Sequence, residues 1–262
     1  MAYETLVLEK DDNGIATITL DRPSKMNSLT EQLIDELVMA INEVSQDSSV
    51  KVVILTGSGR AFCAGGDLDL PLFSMTNPTD MIQFLGRTNQ IPLGLRNMAK
   101  PVIAAMNGAT MGAGCSIAMA CDIIIASENA TFGQAFVNVG YHPDTGSSYF
   151  LPRLVGISKA CELIFTGRAI DAIEAKEMGL VSQVVPADAL MDTARELATK
   201  IANGPSVAIG LAKTCIYDGL HANLDQALDR EAQAASLSLM TEDQKEGVKA
   251  FKEKRKPQFK GQ

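Results

Sequence analysis

Residues 112–116 read Gly-Ala-Gly-Cys-Ser, and residues 61–67 read Ala-Phe-Cys-Ala-Gly-Gly-Asp. Each run of small residues directly follows an apolar segment with the character of a buried strand. Each therefore predicts a turn that leaves backbone N–H groups bare. Two such donors converging on one oxygen make an oxyanion hole, which stabilises an enolate or a tetrahedral intermediate. An enzyme is expected, and the question narrows to which side chain moves the proton.

Outward from these turns, Lys51 to Thr56, Pro101 to Met106 and Asp122 to Ala126 are β-branched or apolar runs that fit strands buried on both faces. A helix from Gly112 to Cys121, entered through the glycine turn, joins two of them as the strand–helix–strand unit of a parallel sheet. Upstream, Leu6 and Leu8 alternate into Ile15, Thr17 and Thr19 around Asp11-Asp12-Asn13-Gly14, a hairpin signal. Ser28 and Glu31 fit a capping box for a helix carrying Leu29, Leu33, Leu37, Ile41 and Val44 at helical spacing. Pro71, Met75 and Asn77-Pro78 interrupt any period between Leu68 and Gln90, and a mobile segment is expected there. From Asp171 the pattern is helical, broken at Gly204-Pro205, and two further helices are expected from Asn223 to about Phe251. The fold class is α/β, with a spiral catalytic core over residues 1–200 and a helical C-terminal region over 201–262.

The chain has 262 residues, 46% hydrophobic, enough for a full-sized core. Its net charge of −8, from 31 acidic and 23 basic side chains, argues against nucleic acid as a partner. The lysine-rich stretch from Lys245 to Lys260 is a local exception suited to a phosphorylated ligand. Five cysteines without a C-x-x-C pair suggest neither a disulfide framework nor a zinc ribbon, and two separated histidines suggest no metal site. The opening residues lack a targeting pattern and no apolar run nears the roughly 20 residues of a membrane span, so a cytoplasmic protein is expected.

Several familiar motifs are absent. Gly57-Ser-Gly-Arg60 lacks the third glycine of a dinucleotide fingerprint, because Phe62 stands there. Neither a phosphate-binding G-x-x-x-x-G-K-[ST] loop nor a G-x-S-x-G elbow occurs. His142-Pro143-Asp144-Thr145-Gly146 places Asp144 at a turn before a helical run, where it is either a helix cap or a catalytic carboxylate. Asp67 reads more readily as a cap, and Glu162 as a solvated or ion-paired residue. His221 reads as a surface residue, and Phe132, Phe136 and Tyr149 as packing residues.

Taken in order, Arg22-Pro-Ser-Lys-Met-Asn27, Ala61-Phe-Cys-Ala-Gly-Gly-Asp-Leu68, Lys100-Pro-Val-Ile-Ala-Ala-Met-Asn-Gly108, Phe150-Leu-Pro-Arg-Leu-Val-Gly156, Gly179-Leu-Val-Ser-Gln-Val-Val185 and Phe251-Lys-Glu-Lys-Arg-Lys-Pro-Gln-Phe259 resemble the crotonase superfamily, the enoyl-CoA hydratase and isomerase family. The resemblance covers essentially the whole chain. It implies ββα spiral turns capped by C-terminal helices that trimerise, with trimers often paired as hexamers. It implies an acyl-CoA substrate, with no cofactor expected besides the coenzyme A of that substrate; the acidic charge and the lack of a long apolar run give the expectation of no nucleic-acid or membrane partner. The oxyanion donors carry over to the N–H of Gly66 and of Ala113. Lys25, Ala64 and Leu68 carry over to the nucleotide end of coenzyme A, and Phe251 and Lys254 to a contact from a neighbouring subunit.

The departures from the family pattern bear on the chemistry. Hydratases of this type carry one glutamate four residues after the first glycine of the second turn and another twenty residues later. Those positions are Ser116 and Phe136, and neither side chain is a general base at neutral pH. Ser116 is left as a pocket wall or weak donor. The context Pro143-Asp-Thr-Gly-Ser-Ser-Tyr-Phe150 resembles a branch with double-bond and ring-epoxide isomerases, in which a single aspartate shuttles a proton. By that resemblance Asp144 is the base, with His142 a candidate to tune it or touch substrate. An acyl-CoA isomerase is expected; an atypical hydratase, a thioester hydrolase and a non-catalytic acyl-CoA-binding protein are the alternatives.

Overall fold

Alternation near the start makes a hairpin in the computed structural model, which describes residues 3–262. Strands β1 (Leu6–Lys10) and β2 (Ile15–Leu20) pair antiparallel, and the Asp11 carboxylate closes the turn by accepting the N–H of Asn13 and Ile15. Helix α1 (Glu31–Gln46) comes next. Its cap is Thr30, whose hydroxyl accepts the Leu33 N–H, in place of the expected Ser28. Ser28 faces the other way and donates to Asp67.

From here the chain repeats one unit: a strand, a short strand, then helix. Strand β3 (Val52–Gly57) leads to β4 (Ala61–Cys63) and to helices α2 (Pro78–Thr88) and α3 (Gln90–Asn97). Strand β5 (Val102–Met106) leads to β6 (Ala109–Met111) and α4 (Ala113–Ala120). Strand β7 (Ile123–Ser127) leads to β8 (Thr131–Gly133), a 3-10 turn at Ala135–Val139, α5 (Ser147–Val155) and α6 (Ile157–Thr166). With β9 (Ala169–Asp171) and β10 (Gln183–Val185) added, the first strand of each unit joins a sheet in the order β1-β2-β3-β5-β7-β10 and the second joins a four-stranded sheet, β4-β6-β8-β9. Strands β9 and β10 flank α7 (Ala172–Glu177), so the stretch after Asp171 is not purely helical.

The β3 run is buried throughout, and apolar from Val52 to Leu55, because both faces of its sheet are covered. Val53 and Leu55 pack into the core shared with α1 and α4, while Val52 and Ile54 face α8 (Leu190–Ala202). Past the break at Gly204-Pro205 come α9 (Ser206–Gly219), α10 (Leu224–Leu239) and α11 (Glu242–Glu253). Lys213 of α9 is only 7% exposed and reaches Asp122 at 2.7 Å, while Tyr217 donates to the same carboxylate at 2.6 Å. This buried pair fastens the last helices to the spiral.

The segment from Leu68 to Gln90 is built rather than irregular. Pro71–Ser74 forms a 3-10 turn, and Asn77-Pro78 is a start signal: the Asn77 side chain accepts the Thr79 N–H and Pro78 opens α2. No helix among the described residues is long and apolar enough to cross a membrane.

Candidate active site

The two glycine turns meet because nothing but glycine fits between them. Gly65 has φ +94°, and a Cβ there would stand 2.9 Å from the Met111 carbonyl oxygen. A Cβ on Gly114 would come within 2.3 Å of the Cys63 carbonyl oxygen. Gly112 sits at φ 51°, ψ −123°, a conformation closed to residues with a side chain, and starts α4.

In the first turn the neighbouring amides are used by the segment before α1. Ala64 N–H donates to Met26 O at 3.0 Å and Asp67 N–H to Leu29 O at 2.9 Å, while Gly65 O accepts the Leu29 N–H at 2.8 Å. The Gly66 N–H between them meets no acceptor among the described residues. Asp67 is not a helix cap; its carboxylate accepts from Ser28 at 2.8 Å and pairs with Arg22 at 3.4 Å, which pins the turn. In the second turn Ala113 is the first residue of α4, so its N–H has no acceptor within the helix. Every residue of α4 is buried, so the positive end of the helix is aimed inward.

Gly66 and Ala113 line one cavity of about 150 Å³ together with Ala64, Leu68, Phe136 and Asp144. Phe136 lies against the Gly112 turn. Asp144 is the only charged side chain in the lining. Rather than capping α5, whose N-cap is Gly146, it precedes two residues with positive φ: Thr145 at +52° and Gly146 at +89°. A buried β-branched residue held there costs on the order of 1–3 kcal/mol. The Thr145 hydroxyl donates to the Asp144 carboxylate at 2.9 Å. Burial pushes the Asp144 carboxyl above its ordinary value, and the Thr145 hydroxyl, the His142 charge and the Tyr141 phenol oppose that shift. Burial beside Asp144 raises the Tyr141 phenol as well.

Other candidates lie elsewhere. Ser116 is not a pocket wall: it is fully buried and bonds to Ser147. The His142 ring stacks on Tyr141 outside the lining, its Nδ1 2.7 Å from the Pro143 carbonyl. Lys25 is exposed beside Met26, just outside the first turn, and is not part of the lining. Phe251, 86% exposed, and Lys254 lie on the surface of α11 and its end, and this chain's cavity does not contain them. Glu162 pairs with Lys159 and Arg168, and His221 meets the Tyr149 hydroxyl at the surface. Burial raises the thiols of Cys63, Cys115 and Cys121 to about 12, so all three stay protonated and inert at neutral pH. Of the residues expected to wall Asp144, Phe136 and Tyr141 line the cavity and Val137 does not; no spacing in the sequence marks that the Tyr141 phenol bonds to the Asp144 carboxylate.

The model of a family described as Enoyl-CoA hydratase/isomerase matches residues 10–262. A short-chain-enoyl-CoA hydratase of Clostridium acetobutylicum is 42% identical over 257 residues, 98% of this chain and 97% of that one. A 1,2-epoxyphenylacetyl-CoA isomerase of Escherichia coli is 37% identical over 257 residues, 97% of this chain and 98% of that one. The crystal structure of an enoyl-CoA hydratase from Bacillus anthracis superposes with a TM-score of 0.94 at 38% identity, covering 99% of this chain and 100% of that one.

Proposed function

The chain belongs to the enoyl-CoA hydratase/isomerase family, and from that premise we propose that it is an acyl-CoA isomerase that moves a double bond through an enolate. One observation carries this reading: a single carboxylate, Asp144, shares the cavity with the Gly66 and Ala113 N–H groups. Adding water across a double bond by the family's two-glutamate route needs two carboxylates. Relocating a proton needs one base, used twice.

The thioester carbonyl oxygen accepts hydrogen bonds from Gly66 N–H and Ala113 N–H. Asp144 removes a proton from the acyl chain, and the electron pair moves through the conjugated system onto the thioester oxygen. The same carboxyl then returns the proton at the other end of that system, and the enolate collapses to the shifted alkene. A carboxylate of ordinary pKa near 4 is too weak a base for this unless the enolate is stabilised. Two fixed donors supply that, each worth roughly 3 kcal/mol. Phe136 supports isomerisation by covering the wall where a second carboxylate would hold a water.

An engineered cavity of about 150 Å³ binds one benzene ring. The similar volume here suits an acyl group of one ring or a short chain. The last helices expose Leu224, Leu228, Leu237 and Met240, and we assign this face to a homotrimer, alone or paired as a hexamer. Phe251 and Lys254 would then approach a neighbour's substrate.

The assignment of Asp144 is tested by Asp144→Ala. The variant is expected to bind acyl-CoA normally and to lose turnover by about 100-fold or more. Unchanged turnover refutes the assignment.

A further inference from the structure

Three buried polar side chains from separate segments of the chain meet behind the cavity. Ser116 of α4 and Ser147 of α5 are 0% exposed, and Gln134, just after β8, is 2% exposed. The Ser147 hydroxyl donates to the Gln134 side-chain oxygen at 2.5 Å, and the Ser116 and Ser147 hydroxyls are 2.8 Å apart. Ser116 Oγ also lies 3.2 Å from the main-chain carbonyl of Asp144, and the Ser147 N–H donates to that carbonyl at 2.9 Å. Each hydroxyl has one proton, and the shortest contacts order them from Ser116 to Ser147 to Gln134.

None of the three lines the cavity, so none touches substrate. What they hold is the strained turn. Ser147 closes it by donating to Asp144, and Ser116 and Gln134 fix Ser147 from either side. Ser116 also sits one turn along α4 from Ala113, its own N–H donating to Gly112 O at 3.2 Å. The chain of hydroxyls therefore links the helix bearing one oxyanion donor to the turn bearing the carboxylate.

We propose that Ser116, Ser147 and Gln134 are positioning residues that set the Asp144 carboxylate relative to the Ala113 N–H. The proposal rests on Asp144 being the base. It also gives Ser116, which stands where hydratases carry a glutamate, a new task beneath the cavity floor.

The test uses the full-length protein, with conversion of but-3-enoyl-CoA to but-2-enoyl-CoA as the probe reaction. Ser116→Ala and Gln134→Met are expected to lower kcat by about 10- to 100-fold, the scale of a misplaced catalytic group. KM should stay within about twofold. The Ser116→Ala, Gln134→Met double variant should be no slower than the slower single one, because both break one chain. Wild-type kcat in Ser116→Ala and Gln134→Met overturns the proposal, as does a rise in KM that accounts for the whole loss of activity. Should Gln134→Met fail to fold, Ser116→Ala, which removes a single oxygen, decides alone. Asp144→Asn separates the two levels. A fast Asp144→Asn defeats the base assignment; an inactive one beside a fast Ser116→Ala defeats the positioning role only.

Discussion

A single carboxylate in an apolar cavity ties activity to its own ionisation. As the proposed base, Asp144 has to be charged to act, and burial raises its pKa from 3.8, so kcat/KM should fall on the acid side through a value above that of an exposed aspartate. The Tyr141 phenol holds that value down. In Tyr141→Phe the acid limb should therefore move to higher pH, and a pH–rate profile of both proteins checks the sign. An unmoved or lowered limb contradicts the arrangement. At this scale the sequence was legible wherever backbone did the work: glycine runs announce bare amides because only glycine allows the turn. Local pattern alone left Asp144 as cap or base, since both readings put an aspartate before a helix, and only the family resemblance pointed to the base. The cap reading fails because Gly146 is the N-cap of α5 and Thr145 and Gly146 have positive φ, which leaves the Asp144 carboxylate in the cavity lining.

The elements of the spiral are held in register by close backbone approach. Gly114→Ala places a methyl group 2.3 Å from the Cys63 carbonyl oxygen, so α4 and β4 must separate. A loss of about 1–3 kcal/mol in denaturant unfolding is expected, with reduced turnover because the two amides part. Asn77→Ala removes the α2 cap at a cost of about 1 kcal/mol, read the same way, without displacing either amide. Strands buried on both faces were legible as apolar runs, and the hairpin as alternation around Asn13-Gly14. Asn77-Pro78 misled because the same dipeptide marks a turn or starts a helix, and only the conformation of residues 79–88 separates the two. Ser28 misled similarly: two hydroxyls, Ser28 and Thr30, stand just before α1, and the competing partner Asp67 is distant in sequence.

Across the whole molecule, a buried ion pair ties α9 to the spiral. Lys213→Met leaves the Asp122 carboxylate without its cation, and breaking such a pair costs about 3–5 kcal/mol. Thermal unfolding of the variant should show that loss. Substituting Asp122 and Lys213 together by apolar residues should recover part of it. Periodicity indicated helices in this region but could not show that a lysine of α9 crosses to the spiral, a contact separated by 91 residues. Isomerisation differs from hydration and hydrolysis in whether water enters the product. With but-3-enoyl-CoA in water enriched in oxygen-18, the enzyme should yield but-2-enoyl-CoA with no heavy oxygen. A labelled 3-hydroxyacyl-CoA, or labelled free acid, formed as the main product would contradict isomerisation through a lone carboxylate.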